Sequence, residues 1–205
     1  MKILAIDTSV GVSIALLNSN EIIDEFTDTQ HGIQGELTSA KITELLHKNS
    51  MTTKDLTDIV VGVGPGPYTG LRVGLATAQA LGFALNIPVH GICSLDAVAF
   101  EFGQPCVVVT DARRKELYWA KYDQGRIGEP QVNKPSEIFD FVSDAHFVGP
   151  AVDLYPEVIS GRQLTLNASA LGQLFASGGA KTLPVSPMYL RKPDAVEPTN
   201  RKSVL

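Results

Sequence analysis

The sequence predicts an α/β protein built from two similar halves. The first indication is a repeat at a constant offset of 104 residues, which aligns Asp7 with Asp111 and Ile23 with Ile127. In each half an apolar segment ends at an acidic residue, and two further strand-like segments follow it after short turns. The second indication is that apolar strands alternate with segments of helical spacing, as in a sheet covered by helices.

The first half is predicted to open with three strands, at 2–6, 12–17 and the segment EIIDEFT, whose short connections indicate an antiparallel meander. The elements expected after the meander are a helix at 36–48, a buried strand at 58–63, a helix at 69–86, a strand at 88–92 and a helix at 94–102. Thr52 and Asp55 have the spacing of a capping box, and we expect Thr69 and Ser94 to cap the helices that begin near them.

The second half repeats the three-strand pattern within residues 105–128. A short helix capped by Ser136, a strand at 146–150 and a helix at 167–178 are expected to follow. The predicted division of the chain is a first lobe at 1–103, a smaller second lobe at 104–191 and a disordered tail at 192–205, which is polar and contains prolines.

Composition excludes several classes of protein. With 205 residues, 44% of them hydrophobic, the chain can bury a sizeable core. Its net charge is −5, and residues 1–103 carry 5 Lys and Arg against 11 Asp and Glu. Because a protein that binds nucleic acid alone is expected to be basic, any contact with RNA is expected only through a partner. The apolar start is too short for a signal peptide and no stretch is long enough to span a membrane, so a cytoplasmic protein with reduced cysteines is expected.

The stretch GVGPGPYTGLRVG raises the question of a phosphate loop. No lysine follows the glycines as in a Walker A motif, and the glycines are out of register for a dinucleotide fingerprint. Pro65 and Pro67 also remove two backbone N–H donors that a phosphate cradle would use. A generic phosphate loop is therefore disfavoured, although the amides of Gly70 and Leu71 at the helix start could still face an anion.

The helix predicted at 69–86 carries a stripe of small residues spaced four apart: Gly70, Gly74, Ala78 and Gly82. Glycine costs a helix about 1 kcal/mol against alanine, so a compensating close contact is expected. That contact is either with the helix's own sheet or with another protein. The helix is apolar nearly all round, which indicates burial on both sides, and Arg72 has no acidic neighbour on it. The partner of Arg72 is therefore elsewhere in the fold, on another chain, or an anion.

Asp7 and Asp111 are predicted to end matching strands, where two lobes could face one cleft. Carboxylates placed so could hold Mg²⁺ for a nucleotide, but each could equally cap its own turn. The turn after Asp111 is ARRKE, which is bulky where a phosphate-gripping hairpin would have glycine. The histidines show no metal-ligand spacing, so we expect no metal site. No G-x-S-x-G motif is present, and we expect Ser9, His31 and Asp7 to be caps or surface residues rather than a triad, so no catalytic residue is predicted.

Several blocks together resemble a known family. ILAIDTS, the lone His31, GPGPYTGLRVGLATAQALG, SLDAVA, DARRKELYWA and PMYLR are similar in order to the TsaB (YeaZ-type) partner proteins of bacterial tRNA threonylcarbamoyladenosine synthesis. The resemblance runs from about residue 2 to residue 191. The sequence departs from the commonest residues of the family at Pro67 and Tyr68, where Ser-Phe is more usual, and at the basic residues 113–115. The second departure puts a ligand in the turn after Asp111 in doubt.

The resemblance implies a two-lobed actin-like fold (the ASKHA class with ribonuclease H-like repeats), in agreement with the internal repeat. It also implies a non-catalytic subunit, since TsaB proteins lack the H-x-x-x-H metal motif of TsaD and Gly35 stands four residues after His31 here. Such a subunit binds TsaD and, with the ATPase TsaE, supports transfer of threonylcarbamoyl to the adenosine beside the tRNA anticodon. No cofactor of its own is expected, because ATP and Mg²⁺ act at the partner subunits.

Two groups of site residues follow from the sequence and the resemblance. The residues predicted to face the partner are Leu37, Lys41, Leu45, Gly70, Leu71, Arg72, Gly74, Leu75, Ala78 and Gly82. The candidate weak nucleotide or anion contacts are Asp7, Ser9, Gly64, Gly66, Thr69 and Asp111. The alternatives are a weak ATPase or glycoprotease-type hydrolase of the same fold, and a homodimer formed through the same helices when the protein is alone.

Overall fold

The computed structural model describes residues 1–30, 32, 34–143 and 145–191 of the chain. Its first sheet has five strands: β1 (Lys2–Asp7), β2 (Val12–Asn18), β3 (Glu21–Asp28), β4 (Asp58–Gly62) and β5 (Val89–Ile92). Their order is β3-β2-β1-β4-β5. β1, β2 and β3 form the predicted antiparallel meander, and β4 and β5 are added in parallel.

Within the described residues four α-helices accompany the strands: α1 (Gln34–Lys48), α2 (Tyr68–Leu85), α3 (Ser94–Phe102) and α4 (Ala168–Ala176). α1 and α2 cover one face of the first sheet, where Leu4 and Ile6 of β1 meet a core that includes Leu71. α4 covers the other face, where Ile3 meets Leu171. Alternate residues of β1 thus enter two different cores, because successive side chains of a strand point to opposite faces.

The second sheet contains β6 (Cys106–Asp111), β7 (Leu117–Tyr122), β8 (Arg126–Asn133), β9 (Phe147–Gly149) and β10 (Gly161–Gln163). Its order, β10-β9-β6-β7-β8, again places three antiparallel strands beside two parallel ones. Short 3-10 turns occupy Thr53–Asp55, Pro135–Asp140 and Val152–Leu154.

The strand register confirms the internal repeat. Lys2 pairs with Asn18 in the first sheet, and Cys106 pairs with Tyr122 in the second. At the other end of the same strands Asp7 pairs with Ser13, and Asp111 pairs with Leu117. Every member of one pair is therefore 104 residues from its counterpart, so the predicted repeat is present residue by residue in the first two strands of each half. The third strands are shifted, since Leu17 pairs with Ile22 whereas its counterpart Lys121 pairs with Ile127.

Several local expectations were wrong. Pro67, not Thr69, precedes α2, and Cys93, not Ser94, precedes α3. The segment expected as a helix capped by Ser136 is a 3-10 turn that starts at Pro135. β10 was not predicted, because its three exposed residues carry no apolar pattern. The capping box of Thr52 and Asp55 is confirmed.

The bounds 1–103 and 104–191 stay a prediction. Chain from the second range returns to the first sheet, since α4 packs there and the amide of Ala168 donates to Ser13 Oγ over 2.7 Å. Leu183 also donates its amide to the carbonyl of Gly91 in β5. The predicted tail at 192–205 and His31 lie outside the described residues.

Candidate functional site

Ser94 holds the glycine-proline loop, residues 64–67, in place by two hydrogen bonds. The amide of Gly64 donates to Ser94 Oγ over 3.1 Å, and the amide of Ser94 donates to the carbonyl of Gly64 over 2.8 Å. Gly64 has φ +104, a conformation that favours glycine, and a Cβ on Gly66 would lie 2.8 Å from Cβ of Ser9. The glycines thus serve a tight loop packed on the end of β1, and the amide of Gly64 already has an acceptor.

Asp7 is buried beneath this loop, with 1% of its surface exposed. Its Oδ1 accepts hydrogen bonds from the amide and the hydroxyl of Ser9, and its Oδ2 accepts one from Ser94 Oγ over 2.6 Å. Burial raises the pKa of Asp7, although these three hydrogen bonds oppose the shift. A Cβ on Gly62 would lie only 1.7 Å from Oδ2, so the glycine makes room for the carboxylate. Asp7 closes its own turn, which is one of the two roles that the sequence left open.

Asp111 holds the equivalent turn of the second sheet. Its Oδ1 accepts the amide of Arg113 over 2.7 Å, and its Oδ2 lies 3.2 Å from Nη1 of the same arginine. A cleft of about 280 Å³ brings Asp111 and Arg113 together with Ser9 and Thr29. Asp7, Gly64, Gly66 and Thr69 are outside the set of described residues that line it. Of the six candidate anion contacts, only Ser9 and Asp111 share this cleft.

The small-residue stripe of α2 faces the chain's own sheet. Thr8, which follows β1, donates its hydroxyl to the carbonyl of Gly70 over 2.7 Å and accepts the amide of Gly74 over 3.0 Å. A Cβ would lie 2.5 Å from the Thr8 carbonyl oxygen if added to Gly70, and 2.4 Å from Thr8 Oγ1 if added to Gly74. At Gly82 it would lie 2.2 Å from Val89 Cγ2. These contacts correspond to the alternative of internal packing.

Burial divides the predicted partner-facing residues. The members that lie inside the protein are Leu45, Gly70, Leu71, Gly74, Leu75, Ala78 and Gly82. A partner cannot touch them in this structure, because the sheet and α1 already cover them. Leu37 and Lys41 are half-buried on α1, where Lys41 Nζ pairs with Glu44 over 2.7 Å and lies 4.7 Å from the centroid of the Phe26 ring.

Arg72 is exposed, and its partners are two tyrosines of the same chain. Its Nε donates to the hydroxyl of Tyr189 over 3.0 Å, and its guanidinium lies 3.7 Å from the centroid of the Tyr68 ring. The two tyrosine rings stack with centroids 4.9 Å apart. The hydrogen bond to Tyr189 raises the pKa of Arg72. Of the three partners considered from the sequence, the structure provides the one elsewhere in the fold.

The surface of α2 away from the sheet is apolar. We call the exposed or half-buried residues Val73, Ala76, Ala80, Phe83 and Ala84 the outer α2 face. Phe83 is 91% exposed, the largest exposure among the large hydrophobic residues that the structure describes. The sequence groups Phe83 with the apolar residues that indicate burial of the helix on both sides, and the alanines are not among the residues predicted to face the partner. Their spacing of four was the signal that could have found them, since it marks one helix face.

Two negative observations concern the described residues. None of their helices is both long and apolar enough to cross a bilayer. No three of their His, Cys, Asp or Glu side chains come together as a metal site requires.

Comparison with known proteins places these features in a family. The family model described as "TsaD: tRNA N6-adenosine threonylcarbamoyltransferase" matches residues 35–182. An uncharacterized protein of Mycobacterium tuberculosis is 37% identical over 201 residues, which are 94% of this chain and 93% of that protein. The tRNA threonylcarbamoyladenosine biosynthesis protein TsaB of Bacillus subtilis is 36% identical over 126 residues, which are 60% of this chain and 55% of that protein.

Among solved structures, YeaZ from Pseudomonas aeruginosa has a TM-score of 0.74 at 24% identity, covering 92% of this chain and all of its own. Together with the two repeated sheets, this likeness establishes the α/β, two-lobed actin-like fold that the resemblance implied. The chain therefore belongs to the family described by the TsaD model, and within it to the TsaB, or YeaZ-type, proteins.

Proposed function

We propose that the chain takes part in tRNA threonylcarbamoyladenosine biosynthesis as a non-catalytic subunit that docks on TsaD through the outer α2 face. In this proposal TsaE joins the complex, tRNA is reached only through it, and ATP and Mg²⁺ act at the partner subunits. The family membership and the name of the Bacillus subtilis relative support the pathway. The observation that carries the docking role is the 91% exposure of Phe83 on a helix whose single charged residue is Arg72.

An exposed aromatic residue surrounded by small apolar ones is suited to association. Aromatic side chains bury a large area and are frequent anchors in protein interfaces, while Ala76 and Ala80 allow another helix to approach closely. The neighbouring α1 exposes Glu36 and Glu44, and the first half of the chain carries the excess of acid. A basic partner surface around the apolar contact would fit that charge.

The catalytic alternatives receive less support from the described side chains. Asp7, which an ATPase would need for Mg²⁺, is buried and already accepts three hydrogen bonds. Asp111 is occupied by Arg113. Titration of the protein with Mg-ATP provides the check, because tight binding that Asp7→Ala abolishes would favour an ATPase over a subunit without catalytic function.

Phe83→Asp tests the docking role. A charge at the centre of an apolar interface should weaken binding to TsaD at least about tenfold, as truncation of a buried aromatic anchor typically does. Co-purification and calorimetric titration with TsaD measure the loss. Because Phe83 contributes little to the core, the circular dichroism spectrum and the thermal transition of the isolated variant should stay unchanged.

Leu154→Asp is the matched control. Leu154 is 52% exposed in the 3-10 turn Val152–Leu154 and lines the cleft of Ser9 and Asp111, so the same change is made at an exposed apolar residue outside the outer α2 face. This variant should bind TsaD like the unchanged chain. Undiminished binding of Phe83→Asp would rule out the outer α2 face. The alternative is a homodimer formed through this face. A dimer in sedimentation runs that TsaD fails to dissociate would favour that alternative.

A further inference from the structure

A large cavity lies away from α2, none of whose described residues line it. It is open to solvent on one side, has a volume of about 780 Å³, and is bordered by α3, the turn between β7 and β8, and α4 with the chain that follows it. Pockets that hold small organic ligands are commonly about 300–1,000 Å³. The cavity is therefore of a size to take a small molecule, and the proposed docking on TsaD does not use it.

A buried polar network forms one wall of the cavity. Asp96 of α3 accepts a hydrogen bond from the hydroxyl of Tyr122 over 2.7 Å and one from Arg126 Nη1 over 3.3 Å. The side chain of Arg126 is only 6% exposed. Asp96, Tyr122 and Arg126 all line the cavity, so a charged guanidinium is held at its edge by an internal carboxylate.

The second terminal nitrogen of Arg126 lacks a hydrogen-bond acceptor among the described residues. Oε2 of Glu129 lies 3.9 Å from this nitrogen, which is too long for a hydrogen bond. A buried donor without a partner is uncommon, because it loses its bonds to water and gains none in return. Arg126 therefore has capacity for one further acceptor.

Glu129 marks where that acceptor would sit. The side chain of Glu129 is 71% exposed, and its Oε1 lies 3.4 Å from Nζ of Lys181. Lys181, like Arg126, lines the cavity. One loosely held carboxylate of the chain thus spans two cations at distances that are long for both. A carboxylate brought by a ligand could replace it and approach both cations more closely.

The rest of the lining limits the kind of ligand. Ala99, Phe100 and Leu174 offer apolar surface for an organic body. Asp123 also lines the cavity, and together with Asp96 it balances the two cations, which disfavours a ligand with several negative charges such as a nucleotide. The lining has no excess of positive charge, so a ligand with one carboxylate, which takes the place of Glu129, fits it better than a ligand with several.

We propose that this cavity binds a small organic monocarboxylate. Its carboxylate replaces Glu129 between Arg126 and Lys181, and its apolar body lies against Phe100 and Leu174.

Calorimetric titration of the full chain with hydrocinnamate tests the site, with the neutral hydrocinnamamide as the matched ligand. The acid should bind saturably and the amide at least about tenfold more weakly, since charge-assisted hydrogen bonds to Arg126 and Lys181 are lost. Glu129→Gln should tighten binding of the acid about threefold or more, because it removes the competing carboxylate. Lys181→Ala should weaken it to a similar extent.

Lys121→Ala is the control for Lys181→Ala, because Lys121 is an exposed lysine of β7 outside the cavity lining. It should leave binding unchanged. Arg126 itself is left intact, since its removal would leave Asp96 buried without its cation. Equal affinity for acid and amide, or no response to Glu129→Gln, would overturn the proposal. Failure of Phe83→Asp to affect TsaD would leave this result untouched, so the two proposals are tested separately.

Discussion

Thr8 sets the distance between α2 and the first sheet. Its one hydroxyl donates to the carbonyl of Gly70 and accepts the amide of Gly74, so the side chain sits in the space that two missing Cβ atoms leave. Glycine costs helix stability at both positions, and the close contact with a buried threonine offsets that cost. Gly70 and Gly74 are thus explained by a residue more than sixty positions away.

Gly74→Ala is therefore expected to destabilise the protein, although alanine favours a helix. The new Cβ would stand 2.4 Å from Thr8 Oγ1, and overpacking of this kind costs about 1–3 kcal/mol. Gly35→Ala in α1 is the matched control, since nothing lies within 4 Å of its added Cβ. That change should stabilise the protein by up to about 1 kcal/mol. Urea unfolding measures both free energies, and a stabilising Gly74→Ala would contradict the packing described.

At the scale of the element, α2 presents two different surfaces. Its small stripe meets the sheet, and its outer α2 face is open. Residues near the end of the described chain contact α2. Tyr189 stacks on Tyr68 and accepts a hydrogen bond from Arg72. The side chain of Gln79 donates a hydrogen bond to the carbonyl of Val185. The segment that contains PMYLR therefore supports the helix from which docking is proposed.

A double-mutant cycle with Arg72→Ala and Tyr189→Phe should measure the hydrogen bond between Arg72 and Tyr189. The hydrogen bond between the two exposed side chains is expected to give a small stabilising coupling in the free energy of unfolding, because water competes for both groups. Tyr189→Phe keeps the ring that stacks on Tyr68, so the cycle isolates the hydroxyl. Strictly additive effects in urea unfolding would mean that the contact contributes nothing to stability.

At the scale of the whole molecule, each half contributes a helix to the packing of the other. Leu95 and Val98 of α3 join a core with Val108 and Ala120 of the second sheet. In return, α4 closes the far face of the first sheet. Because each sheet packs against a helix from the other half, we expect the two sheets to unfold together.

Trp119, the single tryptophan, lies buried in β7 and reports on the second sheet. If the halves unfold together, Gly74→Ala in the first half should shift the fluorescence transition of Trp119 by the same free energy as the circular dichroism transition. If the free energy from the fluorescence transition is unchanged by this substitution, the two sheets unfold independently.

The sequence was sufficient for the repeat and for most element bounds, because strand and helix periodicity are local properties. The spacing of Asp7 and Asp111 is enough to align the two halves, and the predicted bounds of α3 are the observed ones. Cap assignments failed where a hydroxyl had a distant partner: Ser94 bonds to Asp7 rather than capping α3. The hydrogen bonds from Tyr122 and Arg126 to Asp96 could not be predicted, since only the packing of α3 on the second sheet brings these residues together.

The sequence by itself determined the α/β repeat, the family resemblance and the apolar character of α2 on all sides. Only the tertiary structure decided which side of α2 is open to a partner. The residues of each face of that helix recur every three to four positions, so periodicity alone does not show which face packs inside the protein. The choice depends on Thr8 and Val89, which contact Gly74 and Gly82 from elsewhere in the chain. The small stripe therefore packs inward, and Phe83 stays exposed.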